Sequence, residues 1–202
     1  MRDENRGAFP DLAVPAPEPG FERFITAMRR LQDLAVAAAP DDDVWADAAD
    51  GVEKLVTKLE PSWAPEGVSP AGRIPSMPGM GSLLLPPWQV TRYEPDGVEL
   101  RGYFSRFHVG GNSAVHGGVP PLLFDWVCGM VVHAAGRPVS RTAFLKVDYR
   151  NVTPIDTPLI ARGRVAAVEG RKAFITGELV DHDETLLAEM HGLMVQLLPG
   201  QP

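Results

Sequence analysis

The spacing of apolar residues divides the chain into a helical part and a strand-rich part. Apolar side chains recur at steps of three and four over residues 21–35 and again over residues 44–59, which predicts two amphipathic helices. The polar residues of the first helix, among them Arg29 and Asp33, lie mostly off its apolar stripe. Seven prolines and four glycines between residues 61 and 87 exclude a long helix or strand there.

The second part of the chain changes to the alternating pattern of β-strands. Residues 89–94 and 98–107 flank a Pro-Asp-Gly turn and predict a hairpin. Residues 119–135 form the only long apolar segment, a predicted helix that ends before Gly136. Strand-like runs follow at residues 141–150, 159–168, 172–181 and 186–198. The order ββαββββ predicts an α+β fold in which an antiparallel sheet wraps around one central helix.

The same patterns divide the chain into three regions. Residues 1–20 contain four prolines and no apolar period, so we predict a disordered lead-in. Residues 21–84 form a helical and proline-rich N-terminal extension, and residues 85–198 form the main domain. No chemical motif falls in the N-terminal extension, so the sequence assigns it no function.

The composition limits the expected partners and location. The 202 residues carry a formal net charge of −7, which argues against a broad contact with nucleic acid or an anionic membrane. A single cysteine, Cys128, excludes an intramolecular disulfide and predicts a reducing, cytoplasmic location. The five histidines lack metal-ligand spacing, and charged residues interrupt the apolar runs. We therefore expect no metal site, no signal peptide and no membrane span.

The first candidate for chemistry is His116-Gly117-Gly118, at the start of the predicted central helix. Glycines allow a tight turn with free N–H groups, and prolines in the first helical turn remove only donors that lack an intrahelical partner. A developing negative charge would meet these donors and the positive end of the helix together. The turn is either an oxyanion site or a plain connection between a strand and a helix.

Asp125 is the second candidate, because its helical neighbours are apolar on every side and predict that it is buried. An unpaired buried carboxylate is costly. Two alternatives follow: Asp125 is a general base or nucleophile, or it forms an ion pair with an arginine such as Arg141, Arg162 or Arg164. Cys128, one turn further along, is interpreted as a core residue because no base lies near it.

Other chemical motifs are weaker. No Gly-x-Ser-x-Gly motif is present, so a serine hydrolase of the α/β type lacks its nucleophile signal. Gly79-x-Gly81 has no preceding strand and no third glycine, which makes it a weak phosphate-binding signal.

Taken together, these features resemble the hotdog-fold acyl-CoA thioesterases of the PaaI-like branch. The resemblance covers residues 85–198 and implies a hotdog fold preceded by the N-terminal extension. It rests on the ββαββββ order, the His116-Gly117-Gly118 turn, Asp125 nine residues after that histidine, and Thr142-x-x-x-x-x-Asp148-Tyr149 in the next strand.

The resemblance implies a role for each matching residue. Gly117 would donate its backbone N–H to the thioester oxygen, Asp125 would act as base or nucleophile, and Thr142 would position the water. His116 would shape the turn that Gly118 completes. Many family members carry an asparagine six residues before the histidine. This chain has Gly110 there, and whether Asn112 substitutes is open.

The implied reaction is hydrolysis of an acyl-CoA or related pantetheine thioester by a homodimer or a dimer of dimers. No separate cofactor is implied, because CoA is part of the substrate. Candidates for binding the CoA phosphates are Arg150, Arg162, Arg171 and Lys172. Two alternatives remain: a non-catalytic protein that binds acyl-CoA or acyl carrier protein, and a hotdog enoyl-CoA hydratase or dehydratase, which would need an aspartate and a histidine near one substrate carbon.

The spacing of the site residues adds a constraint. Gly117 and Asp125 are eight residues apart, which is ~12 Å along a helix, so one carbonyl cannot contact both in a single chain. We therefore predict a site shared between two chains whose central helices run antiparallel. Thr142 is expected beside Asp125 on the same chain.

Overall fold

The structure is a computed structural model that describes residues 17–65 and 67–201. Within these ranges the helices are α1 (Pro19–Ala37), α2 (Asp42–Leu59) and α3 (Val119–Ala134). The strands are β1 (Gln89–Glu94), β2 (Gly97–Gly102), β3 (Val109–Gly111), β4 (Ala114–Val115), β5 (Ser140–Tyr149), β6 (Leu159–Glu169), β7 (Lys172–Asp181) and β8 (Leu186–Gln196). Residues 1–16 of the predicted lead-in lie outside the described residues, and α1 begins at Pro19. No helix in the described ranges has the length and apolarity needed to cross a bilayer.

Six of the strands form one antiparallel sheet in the order β1-β2-β6-β7-β8-β5. The central helix α3 packs on the inner face of this sheet and contacts β2, β5, β6, β7 and β8. The predicted α+β fold with a sheet wrapped around one helix is confirmed. Strand β5 is an edge of the sheet, because it pairs with β8 on one side only.

The predicted second strand is too long. Strand β2 ends at Gly102, because Phe104 then turns into the core, where it is fully buried against Trp88. A short 3₁₀-helix follows at Arg106–His108, and β3 and β4 form a small separate hairpin that the sequence did not predict. This hairpin leads directly into the His116-Gly117-Gly118 turn.

Helix α3 approaches the sheet very closely at Gly163 of β6. A Cβ atom at Gly163 would lie 2.4 Å from a methyl carbon of Val127 and 2.9 Å from one of Val131. Both valines are buried. The sequence therefore keeps a glycine under the helix, which brings the α3 backbone close to the sheet.

In the N-terminal extension, only the first half of the predicted apolar stripe of α1 packs as predicted, because Phe21 and Phe24 pack against the cluster around Ile25. Only Ile25 of α1 is buried, in a small cluster with Ile74 and Met77, and no residue of α2 is buried. Leu31 and Leu34 of the predicted stripe are 38% and 47% exposed. The polar residues Arg29 and Asp33 instead face the main domain, because both form hydrogen bonds to its backbone.

The segment Gly79-x-Gly81, in which the sequence contains a weak phosphate-binding signal, packs against α1. Gly79 and Gly81 have left-handed φ angles of 59° and 75°. A Cβ atom on Gly79 would lie 2.7 Å from the guanidinium of Arg29, and one on Gly81 would lie 3.1 Å from the ring of Phe21. These glycines are needed for the close approach of a helix, and a phosphate-binding role for them has no support.

We predict that Gly163→Ala destabilises the fold by about 1–3 kcal/mol, because the added methyl group forces α3 away from the sheet. Thermal or urea unfolding measures this change. Gly51→Ala in α2 is the control, since a Cβ atom there meets nothing within 4 Å and should not lower stability. An unchanged unfolding midpoint for Gly163→Ala would contradict the tight helix–sheet contact.

Candidate active site

The His116-Gly117-Gly118 turn presents one available backbone donor. The N–H of Gly118 donates to Nδ1 of His116 at 3.1 Å, and the N–H of Val119 donates to the His116 carbonyl at 2.9 Å. The next two residues are prolines and have no N–H. Among the described residues the N–H of Gly117 has no acceptor. The expectation of two free glycine donors is therefore wrong, and only Gly117 is free to contact an oxyanion.

His116 shapes this turn through both its ring and its backbone. Its Nδ1 accepts the hydrogen bond from Gly118, and its own N–H donates to the carbonyl of His108 at 2.8 Å. Because Nδ1 is an acceptor, the proton of the neutral ring resides on Nε2. The His116 ring thus accepts the N–H of Gly118 and leaves the N–H of Gly117 free.

Tyr149 completes the turn, and sequence reasoning assigned it no role. Its hydroxyl donates a hydrogen bond to the carbonyl of Gly117. Tyr149 is the last residue of β5, and its side chain reaches across to the start of α3. Tyr149 belongs to the sequence motif that ends in Asp148-Tyr149, and this motif was the available signal for its role. The motif could not predict the contact with Gly117, because a hydrogen bond from a side chain to a distant backbone carbonyl leaves no pattern in the sequence.

Asp125 and Thr142 form the second half of the candidate site. The hydroxyl of Thr142 donates to Oδ1 of Asp125 at 2.7 Å, so the two lie together on one chain as expected. The predicted burial of Asp125 is wrong for a single chain, because its side chain is exposed. The reason is that α3 packs its other faces against the sheet and leaves the strip through Asp125 uncovered.

The proposed ion pair of Asp125 is also absent. Among the described residues neither Arg141 nor Arg164 forms a salt bridge with it, and Arg162 is engaged elsewhere. The carboxylate of Asp125 therefore has a hydroxyl partner and an open side, which is an arrangement suited to accepting a proton or attacking a carbonyl.

Cys128 is buried in the core, as the sequence predicted. Its thiol contacts the sulfur of Met190 at 3.8 Å. Burial raises the pKa of Cys128 to about 12, and the negative charge of Asp125 adds to this rise. Because the thiolate is the reactive species, Cys128 cannot serve as the nucleophile.

Neither candidate for the family asparagine places a side chain beside His116-Gly117-Gly118, which we call the oxyanion turn. Gly110 has no room for a side chain, because a Cβ atom there would lie 2.7 Å from the Cα atom of His116. Asn112 lies at the exposed tip of the β3–β4 hairpin with a left-handed φ of 49°. It does not line the groove beside Gly117.

That groove has a volume of about 520 Å³ and lies next to the oxyanion turn. It is lined by Ala114, Val115, Gly117, Pro120, Tyr149, Arg150, Asn151, Val152 and Thr153. Its lining is largely apolar, and Arg150 is the one charged residue among the residues that line it. Arg150 pairs with Glu189 on the neighbouring strand.

The other candidates for binding phosphate lie away from this groove. Arg162 forms ion pairs with Glu99 at 3.2 Å, with Glu178 at 3.2 Å and with Glu184 at 2.6 Å, and the hydrogen bonds to Glu184 chiefly raise its pKa above the usual value. Arg162 therefore forms no ion pair with Asp125, and its three glutamate partners make it a weaker candidate for the CoA phosphates. Arg171 and Lys172 lie in the exposed β6–β7 turn, where Arg171 donates to the carbonyl of Gln196.

The two halves of the site lie at opposite ends of β5. Thr142, near the start of the strand, holds Asp125, and Tyr149, at its end, holds Gly117. Thr142 and Tyr149 are seven residues apart, which corresponds to roughly 23 Å along a strand, so the two halves of one chain are separate.

Comparison with known proteins identifies the domain that carries these residues. A model of the Thioesterase superfamily matches residues 112–188, from the β3–β4 hairpin into β8. Residues 112–188 are therefore similar in sequence to the Thioesterase superfamily.

Sequence relatives of the thioesterase domain include acyl-coenzyme A thioesterase THEM4 of Rattus norvegicus, 30% identical over 89 residues, and THEM4 of Xenopus laevis, 34% identical over 86 residues. The matches cover 44% and 42% of this chain. The matched part spans only 38% of the length of each relative.

Solved structures show that the fold is the hotdog fold. One crystal structure, of a thioesterase superfamily protein, is 26% identical in sequence to this chain and superimposes on it with a TM-score of 0.76. The match covers 90% of this chain and 97% of the other chain. The match therefore extends beyond residues 85–198 into the N-terminal helices. A thioesterase-like protein of Streptococcus pneumoniae with coenzyme A has a TM-score of 0.51 at 15% identity, and it covers 54% of this chain and 86% of its own.

We predict that native protein at pH 8 does not react with iodoacetamide, because a thiol of pKa about 12 is ionised in roughly one molecule in 10,000 at that pH. Mass spectrometry after a timed reaction measures the labelling. The same protein in denaturant is the control and should be labelled at its single cysteine. Rapid labelling of the native protein would contradict the buried, protonated state of Cys128.

Proposed function

We propose that the protein hydrolyses an acyl-CoA, or a related pantetheine thioester, to a free acid and a thiol. The observation that carries the proposal is that the chain holds both an unoccupied backbone donor, the N–H of Gly117, and an open carboxylate, that of Asp125. The curated relatives are acyl-CoA thioesterases, and solved proteins of this fold hold coenzyme A or acetyl-CoA. These likenesses support the same substrate class.

In this reaction the Gly117 N–H and the nearby N-terminus of α3 stabilise negative charge on the thioester oxygen. Asp125 then either removes a proton from an attacking water or attacks the carbonyl carbon itself. In the first route the carbon–oxygen bond forms, the carbon–sulfur bond breaks and the thiolate takes up the proton. In the second route a carboxylate oxygen of Asp125 bonds to the carbonyl carbon, the carbon–sulfur bond breaks and the thiolate leaves. Water then hydrolyses the acyl-aspartate intermediate, which returns the Asp125 carboxylate, and the two protons of the water go to the free acid and the thiolate. Thr142 holds the carboxylate in place through its hydroxyl in both routes.

We further propose that each site combines Gly117 of one chain with Asp125 of another. Strand β5 has a free edge, and its Phe144 is 48% exposed. If two β5 strands pair antiparallel about their midpoints, Thr142 of each chain comes opposite Tyr149 of the other. The Asp125–Thr142 pair of one chain then faces the Gly117–Tyr149 pair of its partner, which forms two equivalent sites.

The exposed strip of α3 supports this assembly. Leu122 and Gly129 lie on the same strip as Asp125 and are only partly buried, and Gly129 allows a partner helix to approach closely. Docking of a second α3 would cover this strip. The burial of Asp125 that its apolar neighbours predict would then be achieved in the dimer, where water is excluded from the reacting carbonyl.

The groove beside Gly117 fits the thioester substrate. Its apolar lining near the turn would take the acyl or pantetheine chain, and Arg150 at its side would contact a CoA phosphate by exchanging its bond to Glu189. Arg171 and Lys172 remain second candidates for the phosphates, because their side chains are exposed.

The two alternative functions have less support. A hydratase or dehydratase needs a histidine beside Asp125, and within one chain the histidine of α3 does not supply it. His133 is eight residues further along α3, about 12 Å away, and its Nδ1 is bonded to the hydroxyl of Tyr93. A non-catalytic binding protein would need neither an open carboxylate nor a positioned hydroxyl, and this chain has both.

We expect Asp125→Asn to lower kcat by at least two orders of magnitude, because the amide is neither a base nor a nucleophile while the oxyanion donor stays intact. Thiol release from short, long and aromatic acyl-CoAs measures turnover. Because asparagine has nearly the same shape and Asp125 forms no ion pair among the described residues, the melting temperature of the variant should change little. Near-normal turnover in the folded variant would refute the assignment of Asp125.

Thr142 provides a matched comparison. Thr142→Ser keeps the hydroxyl that bonds Asp125 and should retain most activity, whereas Thr142→Val keeps the shape but loses the donor and should lower kcat about tenfold or more. Equal kcat values for the two variants would contradict a role for this hydrogen bond.

For Arg150 we predict that replacement by alanine raises KM for acyl-CoA without raising KM for a short thioester that has the same acyl group and no nucleotide, since only the former carries the phosphates. Arg92→Ala is the control, because Arg92 pairs with exposed Asp96 outside the groove. Equal changes in KM for both substrates would rule out contact with the phosphates.

A further inference from the structure

Helix α1 is attached to the main domain by a polar contact at Arg29. The guanidinium donates to three backbone carbonyls, those of Ser82 at 2.6 Å, Leu85 at 3.2 Å and Pro78 at 3.2 Å. Burial lowers the pKa of Arg29, which shows how far the group is removed from water. Its three acceptors lie in the segment that leads into β1. The contact therefore fixes α1 relative to the sheet.

One helical turn further along α1, Asp33 contacts the segment that precedes the oxyanion turn. Its Oδ1 accepts a hydrogen bond from the N–H of Phe107 at 2.9 Å. Phe107 lies in the 3₁₀-helix Arg106–His108, which is capped by Ser105, whose N–H donates to the ring of His108 at 3.1 Å. A carboxylate that accepts a backbone N–H forms one of the stronger types of hydrogen bond.

The 3₁₀-helix is bonded in turn to the oxyanion turn itself. The carbonyl of His108 accepts the N–H of His116 at 2.8 Å, one residue before Gly117. The contact is close packed, because no Cβ atom fits at Gly110, between these two segments, without meeting the backbone of His116. A displacement of the 3₁₀-helix would therefore be transmitted to the Gly117 N–H.

We propose that Asp33 is a positioning residue for the oxyanion turn of its own chain, so that α1 of the N-terminal extension is part of the active-site structure. Asp33 holds Phe107, the same 3₁₀-helix holds His116, and His116 sets the direction of the Gly117 N–H. Arg29 provides the fixed attachment from which Asp33 acts. This inference rests on the proposed thioesterase function.

The test compares Asp33→Ala with Asp33→Asn in the full chain. The alanine variant removes the acceptor of the Phe107 N–H, whereas the asparagine variant keeps a side-chain oxygen there. We expect Asp33→Ala to lower kcat at least tenfold with KM nearly unchanged, because a small misplacement of the donor weakens transition-state binding and leaves substrate binding intact. Asp33→Asn should restore most of kcat. Asp50→Ala, at an exposed aspartate of α2, is the control and should have no effect.

Amide hydrogen exchange followed by mass spectrometry provides a measurement that does not depend on activity. Asp33→Ala should accelerate exchange in residues 105–117 and leave the strands β6–β8 unchanged. Asp125→Asn should abolish turnover without this acceleration, which separates loss of the carboxylate from loss of positioning.

Two results would overturn the proposal: wild-type kcat in Asp33→Ala, or unchanged exchange in residues 105–117. If the wild-type protein hydrolyses no thioester, the proposed function itself fails. Accelerated exchange confined to Asp33→Ala would then still establish that α1 holds the turn, so the two failures are distinguishable.

Discussion

The arrangement of the candidate site depends on the rigid separation that β5 and α3 impose on its two halves. Asp125 is bonded to Thr142 at one end of β5, and Gly117 is bonded to Tyr149 at the other end. Both elements are regular, and close packing of α3 on Gly163 fixes the helix against the sheet. Neither half can move toward the other without breaking this packing. In the proposed dimer, this separation would also set the register in which the two free β5 edges pair.

The geometry of the His116-Gly117-Gly118 turn depends on contacts from several parts of the chain. The two glycines offer two N–H groups, and the His116 ring takes one of them. Tyr149 orients the Gly117 carbonyl, and Asp33 acts on the turn through the 3₁₀-helix. Each of these contacts comes from a different part of the chain. The proline-rich segment and α1, which belong to no recognisable motif, support the main domain and are matched in a solved structure that covers 90% of the chain.

Much of the fold was predictable because each strand and helix of residues 85–198 has its own apolar period and turn residues. The pairing of Thr142 with Asp125 was predictable from the family motif. The exposure of Asp125 was not predictable from the sequence. Its apolar neighbours indicate that it is buried, but they do not show whether residues of the same chain or of a partner bury it. The polar part of the α1 interface was not predictable for a related reason: Arg29 and Asp33 bind backbone carbonyl and N–H groups, which nearly every residue has, so their partners have no sequence signature.

Mixing two inactive variants tests whether a site uses two chains. Asp125→Asn lacks the carboxylate, and Gly117→Pro lacks the backbone donor. A heterodimer of the two combines both lesions in one site and leaves the other intact. Random pairing makes half of the dimers heterodimers, so about a quarter of the wild-type activity per site should return after subunit exchange. Absence of recovery in a mixture whose heterodimers are demonstrated by native mass spectrometry, from variants that each remain folded, would contradict a shared site.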